Sequence, residues 1–392
     1  MLDTVKLKRP LLDEREASLI EAQVQTMTKT DNASETELFR FVGGNLEGSF
    51  SNNIAVNVKR EVFKRIPASG GQKAQSIVVP CGWGFYPDGR PEPRPFLTVE
   101  GSVHKAMVGH NVHGGPLDPV AASWWYAAHV CGRLGINFGT LADWRCLRVD
   151  WAECYNFGSF EAVEEFLRSM KLASYPRRRP NIYEGEVMFP SSNVTTKFYH
   201  KGLEFQRNGL KSSAKNSGRE QAEKLLGLAN GILRTEITVK SKRLKLEATS
   251  GHAEMPVVNL QREWLEALHD TEVSRVFHEG KADMKSVRTH EAVNARLRDV
   301  YDVRLAELLF GVWMQFAALG EKEYRKKVPV RTFYRQRKQL ADAGITWIGS
   351  DIGIVKSNVI PLDFSFRRDS PYRMTQELPE VVDLLLPFRR AA

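Results

Sequence analysis

The spacing of apolar and polar positions changes character along the chain. Residues 5–9, 36–41, 53–58, 76–81 and 96–100 are enriched in β-branched side chains and partly alternate, which predicts strands joined by turns. Helical periodicity follows at 119–134 and 161–171, with a strand predicted between them at 147–153. Two short runs at 184–189 and 193–199, joined by Pro190, Ser191 and Ser192, predict a hairpin that continues into 201–205. A helix is expected at 219–229, ended by Gly231. Residues 232–240 then alternate in the strand manner, with Ile232, Arg234, Glu236 and Thr238 on one face and Leu233, Thr235, Ile237 and Val239 on the other.

Beyond about residue 250 the pattern is helical, at 260–269, 289–298, 304–319 and 330–343, the last ended by Gly344. The order implies an α+β fold, a central mainly antiparallel sheet with packed helices followed by a helical C-terminal module. A boundary near 245–258 would separate a domain at 1–245 from a helical module at 258–345, leaving 346–392 as an unassigned tail. The most apolar stretch, 121–136, is too short to span a membrane and contains His129 and Arg133, so it is expected to be a core helix.

The charge adds a partner class to this picture. Fifty-six Lys and Arg against 47 Asp and Glu leave a net +9, a bias toward polyanions. The excess is concentrated in Arg177, Arg178 and Arg179 and in residues 322–338, which hold eight basic side chains against one acidic. Such clustering suits phosphate contacts, although a solvated surface would show it too. Cys81, Cys131, Cys146 and Cys154 have neither zinc-site spacing nor the density of a disulfide scaffold. With no apolar leader pattern at residues 1–9, a cytoplasmic location is expected.

Three carboxylates, Glu100, Asp150 and Glu236, fall in predicted strands. Carboxylates converging from several strands can hold a hard divalent cation, while Arg148 and Arg234, each two residues before its acid, also permit simple ion pairs. The segment Gly109-His110-Asn111-Val112-His113-Gly114-Gly115 suits close approach of a backbone to a ligand. His110 and His113 would converge only if the chain turns between them. In an extended chain Tyr199 and Lys201 would point the same way, a potential nucleophile beside a cation. The residues themselves do not select Tyr199 over Tyr155 or Tyr183.

At these positions the chain resembles the replication initiators of filamentous phages, the gene II and gene X family. The resemblance lies in Leu2-Asp3-Thr4-Val5-Lys6-Leu7, in Val99-Glu100-Gly101-Ser102 followed by Lys105 and the Gly109–Gly114 segment, in Leu147-Arg148-Val149-Asp150, in Lys197-Phe198-Tyr199-His200-Lys201 and in Leu233-Arg234-Thr235-Glu236-Ile237. It covers roughly residues 1–245 and implies a rolling-circle nuclease-like fold that nicks the plus strand at the origin. A tyrosine takes the 5′ phosphate, the 3′ hydroxyl primes synthesis, and the displaced strand is later rejoined. By motif the nucleophile would be Tyr199, with Lys201 offsetting its charge. Glu100, His110, Asp150 and Glu236 would supply ligands for Mg²⁺ (or Mn²⁺), and Arg148, Arg234 and Lys240 would contact phosphates. The two histidines flanking one apolar residue that name the wider class are not supplied by His110-Asn111-Val112, and His113 is a candidate only.

In the helical third, Val330-Arg331-Thr332-Phe333-Tyr334-Arg335-Gln336-Arg337-Lys338 resembles the recognition helix of a helix-turn-helix. Thr332, Arg335 and Gln336 would share its outer face, with Phe333 and Leu340 turned to the core, and Arg331 and Lys338 would add DNA contacts. The implied partners are duplex origin DNA and the single plus strand, with host helicase and polymerase and no membrane. A non-catalytic DNA-binding protein such as a repressor or strand-coating factor is the alternative. A phosphodiesterase without a covalent intermediate would not need the tyrosine.

Overall fold

In the computed structural model the described residues are 1–31 apart from 12, then 38–42, 45–50, 54–61, 94–170, 178–248, 254–278, 287, 289–347, 350, 352, 364, 366, 368–374 and 377–389. The strand expected at 76–81, together with Cys81 and Arg177, lies outside them.

Among the described residues, ten strands form one antiparallel sheet. They are β1 (Leu2–Pro10), β2 (Leu38–Val42), β3 (Asn45–Phe50), β4 (Ile54–Glu61), β5 (Arg94–Ser102), β6 (Arg145–Asn156), β7 (Asn181–Tyr183), β8 (Glu186–Phe189), β9 (Val194–His200) and β10 (Ile232–Lys240). Their spatial order is β2-β3-β4-β5-β1-β6-β10-β9-β8-β7. Two short strands, β11 (Met255–Pro256) and β12 (Arg373–Met374), extend the pairing along β6. The α+β architecture expected from the pattern is the one observed, helical C-terminal region included. The tail returns to the sheet through β12.

Helices pack on both faces of the sheet. They begin with α1 (Glu14–Asp31), α2 (Val103–Val108), α3 (Pro119–Leu134) and α4 (Phe160–Met170). A group of short helices follows: α5 (Lys201–Asn208), α6 (Leu210–Ser217), α7 (Arg219–Ala229) and α8 (Ser241–Glu247). The C-terminal set is α9 (Arg262–His278), α10 (His290–Val300), α11 (Val303–Leu319), α12 (Glu321–Lys327), α13 (Val330–Asp342) and α14 (Pro379–Arg389). The Asp118 carboxylate caps α3 by accepting from the amides of Val120 and Ala121, and Gly135 ends the helix in the left-handed region at φ 64°.

Packing explains the division of the sheet. Val5, Val99, Val149, Ile237 and Val239 share one core with Ala122, Tyr126 and Val130 of α3. Tyr155, Val187, Phe198 and Leu233 share a second with helices α4 and α9 to α13, including Trp313, Phe316, Phe333 and Leu340. Side chains alternate across a strand, so the intervening positions Lys6, Glu100, Arg148, Asp150, Glu236, Lys197 and Tyr199 emerge together on the opposite face. On β10 both faces are buried. A charged strand face without solvent must be compensated by partners, and those partners build the site.

Candidate active site

The polar face carries a row of alternating charges that crosses five strands. Register pairs Lys6 with Glu100 and with Arg148, Glu236 with Lys197, and Arg234 with Tyr199. Lys6 Nζ donates to Glu100 at 2.6 Å, and Arg148 donates to Glu100 at 3.0 Å and from Nε to Asp150 at 2.9 Å. Lys197 Nζ donates to Glu236 Oε1 at 2.7 Å, and the Tyr199 hydroxyl donates to Glu236 Oε2 at 2.9 Å. Glu100, Arg148, Asp150, Lys197, Tyr199 and Glu236 all line one pocket of about 490 Å³.

The strand alternation that would set Lys201 beside Tyr199 stops at His200. That residue is the N-cap of α5, its Nδ1 accepting from the Gly202 amide at 3.1 Å. Gly202 is required here because a Cβ would lie 2.3 Å from Asn230 Oδ1 and 2.9 Å from Asn230 Cα. Lys201 therefore opens a helix. Its fully buried ammonium donates to Asn111 Oδ1 at 2.9 Å and to Glu204, and burial lowers its pKa against the pull of Glu204.

The cation opposite Tyr199 in the register is Arg234, which is fully buried. Its Nη1 donates to the Asn111 carbonyl at 2.6 Å, and its Nη2 lies 2.9 Å from the Asp3 carboxylate. Asp3 in turn accepts from Ser102 Oγ at 2.8 Å. Burial pushes the Asp3 carboxyl up, but Arg234 and Lys201 overcome it and hold the group ionised. Asn111 thus ties the glycine-rich loop to both buried cations.

Electrostatics assign the tyrosine its partner. Burial raises the Tyr199 pKa well above its usual value, Arg234 opposes that rise, and Glu236 adds to it. A free phenolate is therefore disfavoured, while proton transfer along the existing bond to Glu236 is geometrically available. Burial and the nearby Glu236 push the Asp150 carboxyl up to about 6 despite Arg148. The lining holds seven carboxylates, Asp3, Glu100, Asp150, Glu184, Glu186, Glu204 and Glu236, against the cations Lys105, Arg148, Lys197 and Arg207. That excess of hard oxygen donors suits a divalent cation and by itself repels a phosphate.

His110 stands apart from the pocket lining. Its Nδ1 accepts from the Val112 amide at 3.3 Å, and its ring lies 5.7 Å from that of His104 and 5.5 Å from that of His113. The chain does turn between His110 and His113. Among the described residues, no group of three or more His, Cys, Asp and Glu side chains is arranged to hold a metal ion.

The expected phosphate contacts separate as well. Arg148 lines the pocket, Arg234 is sealed beneath it, and Lys240 Nζ donates to the Ser191 carbonyl at 2.7 Å near the opposite end of β10. On α13, Arg331, Arg335 and Lys338 are exposed and Thr332 is half-buried. Gln336 turns inward, where it accepts from the Tyr324 hydroxyl at 3.1 Å. It therefore does not share an outer face with Arg335: the polar contact between α12 and α13 has claimed it. Phe333 and Leu340 sit in the core as expected.

Sequence reasoning missed Lys197, Asp3, Asn111 and Glu204. The alternation Lys197-Phe198-Tyr199 held the signal for the first, since Lys197 and Tyr199 are strand neighbours on one face. The Asp3–Arg234 pair joins residues far apart in the chain, which spacing does not reveal.

No curated protein and no solved structure matches the chain. A family model does, that of the N-terminal part of the replication-associated protein encoded by filamentous phage gene II, over residues 85–267. That span contains Glu100, Asp150, Lys197, Tyr199, Lys201 and Glu236, and excludes α13. No helix among the described residues is long and apolar enough to cross a membrane. Residues 85–267, and with them the centre of the pocket, are similar to this phage replication family.

Proposed function

We propose that the chain initiates rolling-circle replication by nicking the plus strand of its phage origin through Tyr199. The observation that carries this reading is the Tyr199 hydroxyl, held by Glu236 in a pocket whose centre lies in the family-matched segment. The phenolic oxygen attacks the scissile phosphorus and its proton passes to Glu236 Oε2. The bond from phosphorus to the 3′ oxygen breaks, leaving a 5′-phosphotyrosine, and the departing 3′ oxygen takes a proton from solvent. Rejoining reverses the step, with Glu236 returning the proton to Tyr199. Arg234 stabilises negative charge on the phenolic oxygen from below, and Lys201 fixes the loop through Asn111.

Mg²⁺ (or Mn²⁺) would polarise the scissile phosphate; Glu100, Asp150 and Glu236 are its candidate ligands, and each would first have to give up a cation that it now holds, Lys6, Arg148 or Lys197. Lys197 and Arg148 keep these carboxylates aligned toward the pocket. Arg331, Arg335 and Lys338 of α13, with Thr332, would contact the duplex origin. The reaction would take place in the host cytoplasm, where helicase and polymerase extend the 3′ end.

The test is incubation with Mg²⁺ and supercoiled DNA carrying the cognate origin. Nicked circles with protein-linked 5′ ends are expected, and the adduct disappears in Tyr199→Phe. An adduct that persists in that variant refutes the assignment. Nicking that survives Glu100, Asp150 and Glu236 all changed to Ala refutes the metal reading.

A further inference from the structure

The sheet ends, beside the pocket, in an exposed aromatic residue that the nicking step does not use. Tyr183 is 51% exposed on β7, the last strand of the sheet. Register pairs Tyr183 with Glu186, and Glu186 with Tyr199. Directly paired residues in an antiparallel sheet project to the same face, so Tyr183 emerges on the face of the nucleophile. Two strand spacings separate the residues, about 10 Å, a span that extended DNA covers within a couple of nucleotides.

The platform is held in place. Tyr183-Glu184-Gly185-Glu186 is a two-residue hairpin turn, and Gly185 has φ 70°. A Cβ on Gly185 would lie 2.5 Å from Leu203 Cδ1, so the turn rests directly on α5. The amide of His200 donates to the Gly185 carbonyl at 2.8 Å, which locks the turn to the end of β9. Glu184 pairs with Arg207 at 2.6 Å on the pocket rim, with both side chains well exposed. An exposed pair of this kind contributes little, so Arg207 can exchange Glu184 for a phosphate at small cost. Arg179, exposed just before β7, adds a second cation on the approach.

We propose that Tyr183 is a stacking platform for a nucleobase next to the scissile phosphate, making the β7–β8 edge the subsite that receives the single-stranded substrate. An aromatic face accepts any base and contributes roughly 1–3 kcal/mol per stacked base. The subsite therefore supplies affinity for unpaired DNA without reading its sequence, whereas duplex recognition falls to α13. The proposal deepens the nickase reading and rests on it for the position of the scissile phosphate.

Binding is measured in the Tyr199→Phe background, so that no chemistry is required, with a short fluorescent single strand of the plus-strand origin. Tyr183→Ala is expected to weaken binding by about 5- to 150-fold, and Tyr183→Phe to stay within about twofold because the ring remains. An abasic site at the stacked position should weaken the parent protein by the same factor and leave Tyr183→Ala unaffected. Unchanged binding in Tyr183→Ala overturns the proposal. So does an equal loss in Tyr183→Phe, which would assign the effect to the hydroxyl. If nicking assays yield no adduct but Tyr183→Ala still loses affinity, the subsite stands and the nickase reading fails.

Discussion

The pocket and helix α13 are both rich in charge, and they use it in opposite ways. In the pocket every carboxylate of the Glu100–Asp150–Glu236 row has a cation within hydrogen-bonding distance, and the lining as a whole is acidic. On α13 the exposed side chains Arg331, Arg335 and Lys338 are basic, while the polar residues that bond internally, Gln336 and Arg337, face α12. Charge that is buried and interlocked positions reacting atoms. Charge that is exposed and of one sign binds a polyanion. The net +9 of the chain, which first suggests nucleic acid, therefore says little about where the chemistry occurs.

The contrast breaks most sharply at Glu236. Glu236→Gln keeps an acceptor near Tyr199 but removes the base, and adduct formation should fall by about 10²- to 10⁴-fold with duplex binding unchanged. Equal losses in rate and binding would mean that the pocket does not divide labour with α13 in this way. The next effect is on stability. Arg234→Met strands Asp3 as a buried charge, and breaking such a pair costs about 3–5 kcal/mol, read as a lower denaturant midpoint. Asp3→Asn combined with Arg234→Met should recover much of that loss, since no unpaired charge remains.

Smaller effects belong to α13. Arg335→Ala and Lys338→Ala should each weaken duplex binding and reduce its salt slope by about 1, while nicking of a pre-melted single strand continues at the normal rate. A fall in single-strand nicking would place α13 within the reaction centre. Smallest is an acid effect at His200. Burial lowers this histidine to about 4, so the unfolded chain takes up its proton first as pH drops below about 6.5. Stability present at neutral pH is therefore lost as pH falls from about 6.5 toward 4. His200→Asn keeps a capping acceptor and should flatten part of the decline in melting temperature over that window.

What could be read from the sequence follows the range of each interaction. The alternation of residues 232–240 is a local pattern, and β10 is the strand it describes, with Arg234 and Glu236 on one face. Arg304 to Leu319 and the Phe333–Leu340 spacing are equally local, and α11 and α13 follow them closely. Lys201 is harder to place. Where β9 stops depends on His200 capping α5 and on Gly202 fitting against Asn230, both tertiary facts. The link between Asp3 and Arg234 spans more than half of the chain and leaves no periodic trace. Among the described residues of the tail, Arg373 and Met374 pair with β6, the Tyr372 carbonyl accepts from the Asn156 amide, and Arg373 reaches Glu153 at 2.7 Å, long-range contacts that leave no local pattern.

The central claim is that Tyr199 carries the DNA. The direct measurement is to trap the covalent adduct on origin DNA, digest it with nuclease and protease, and identify the nucleotide-bearing peptide by mass spectrometry. The account predicts a 5′ phosphate on Tyr199 in the peptide containing Lys197 to Lys201. A phosphate on Tyr183, on Tyr155, or on no tyrosine would contradict it.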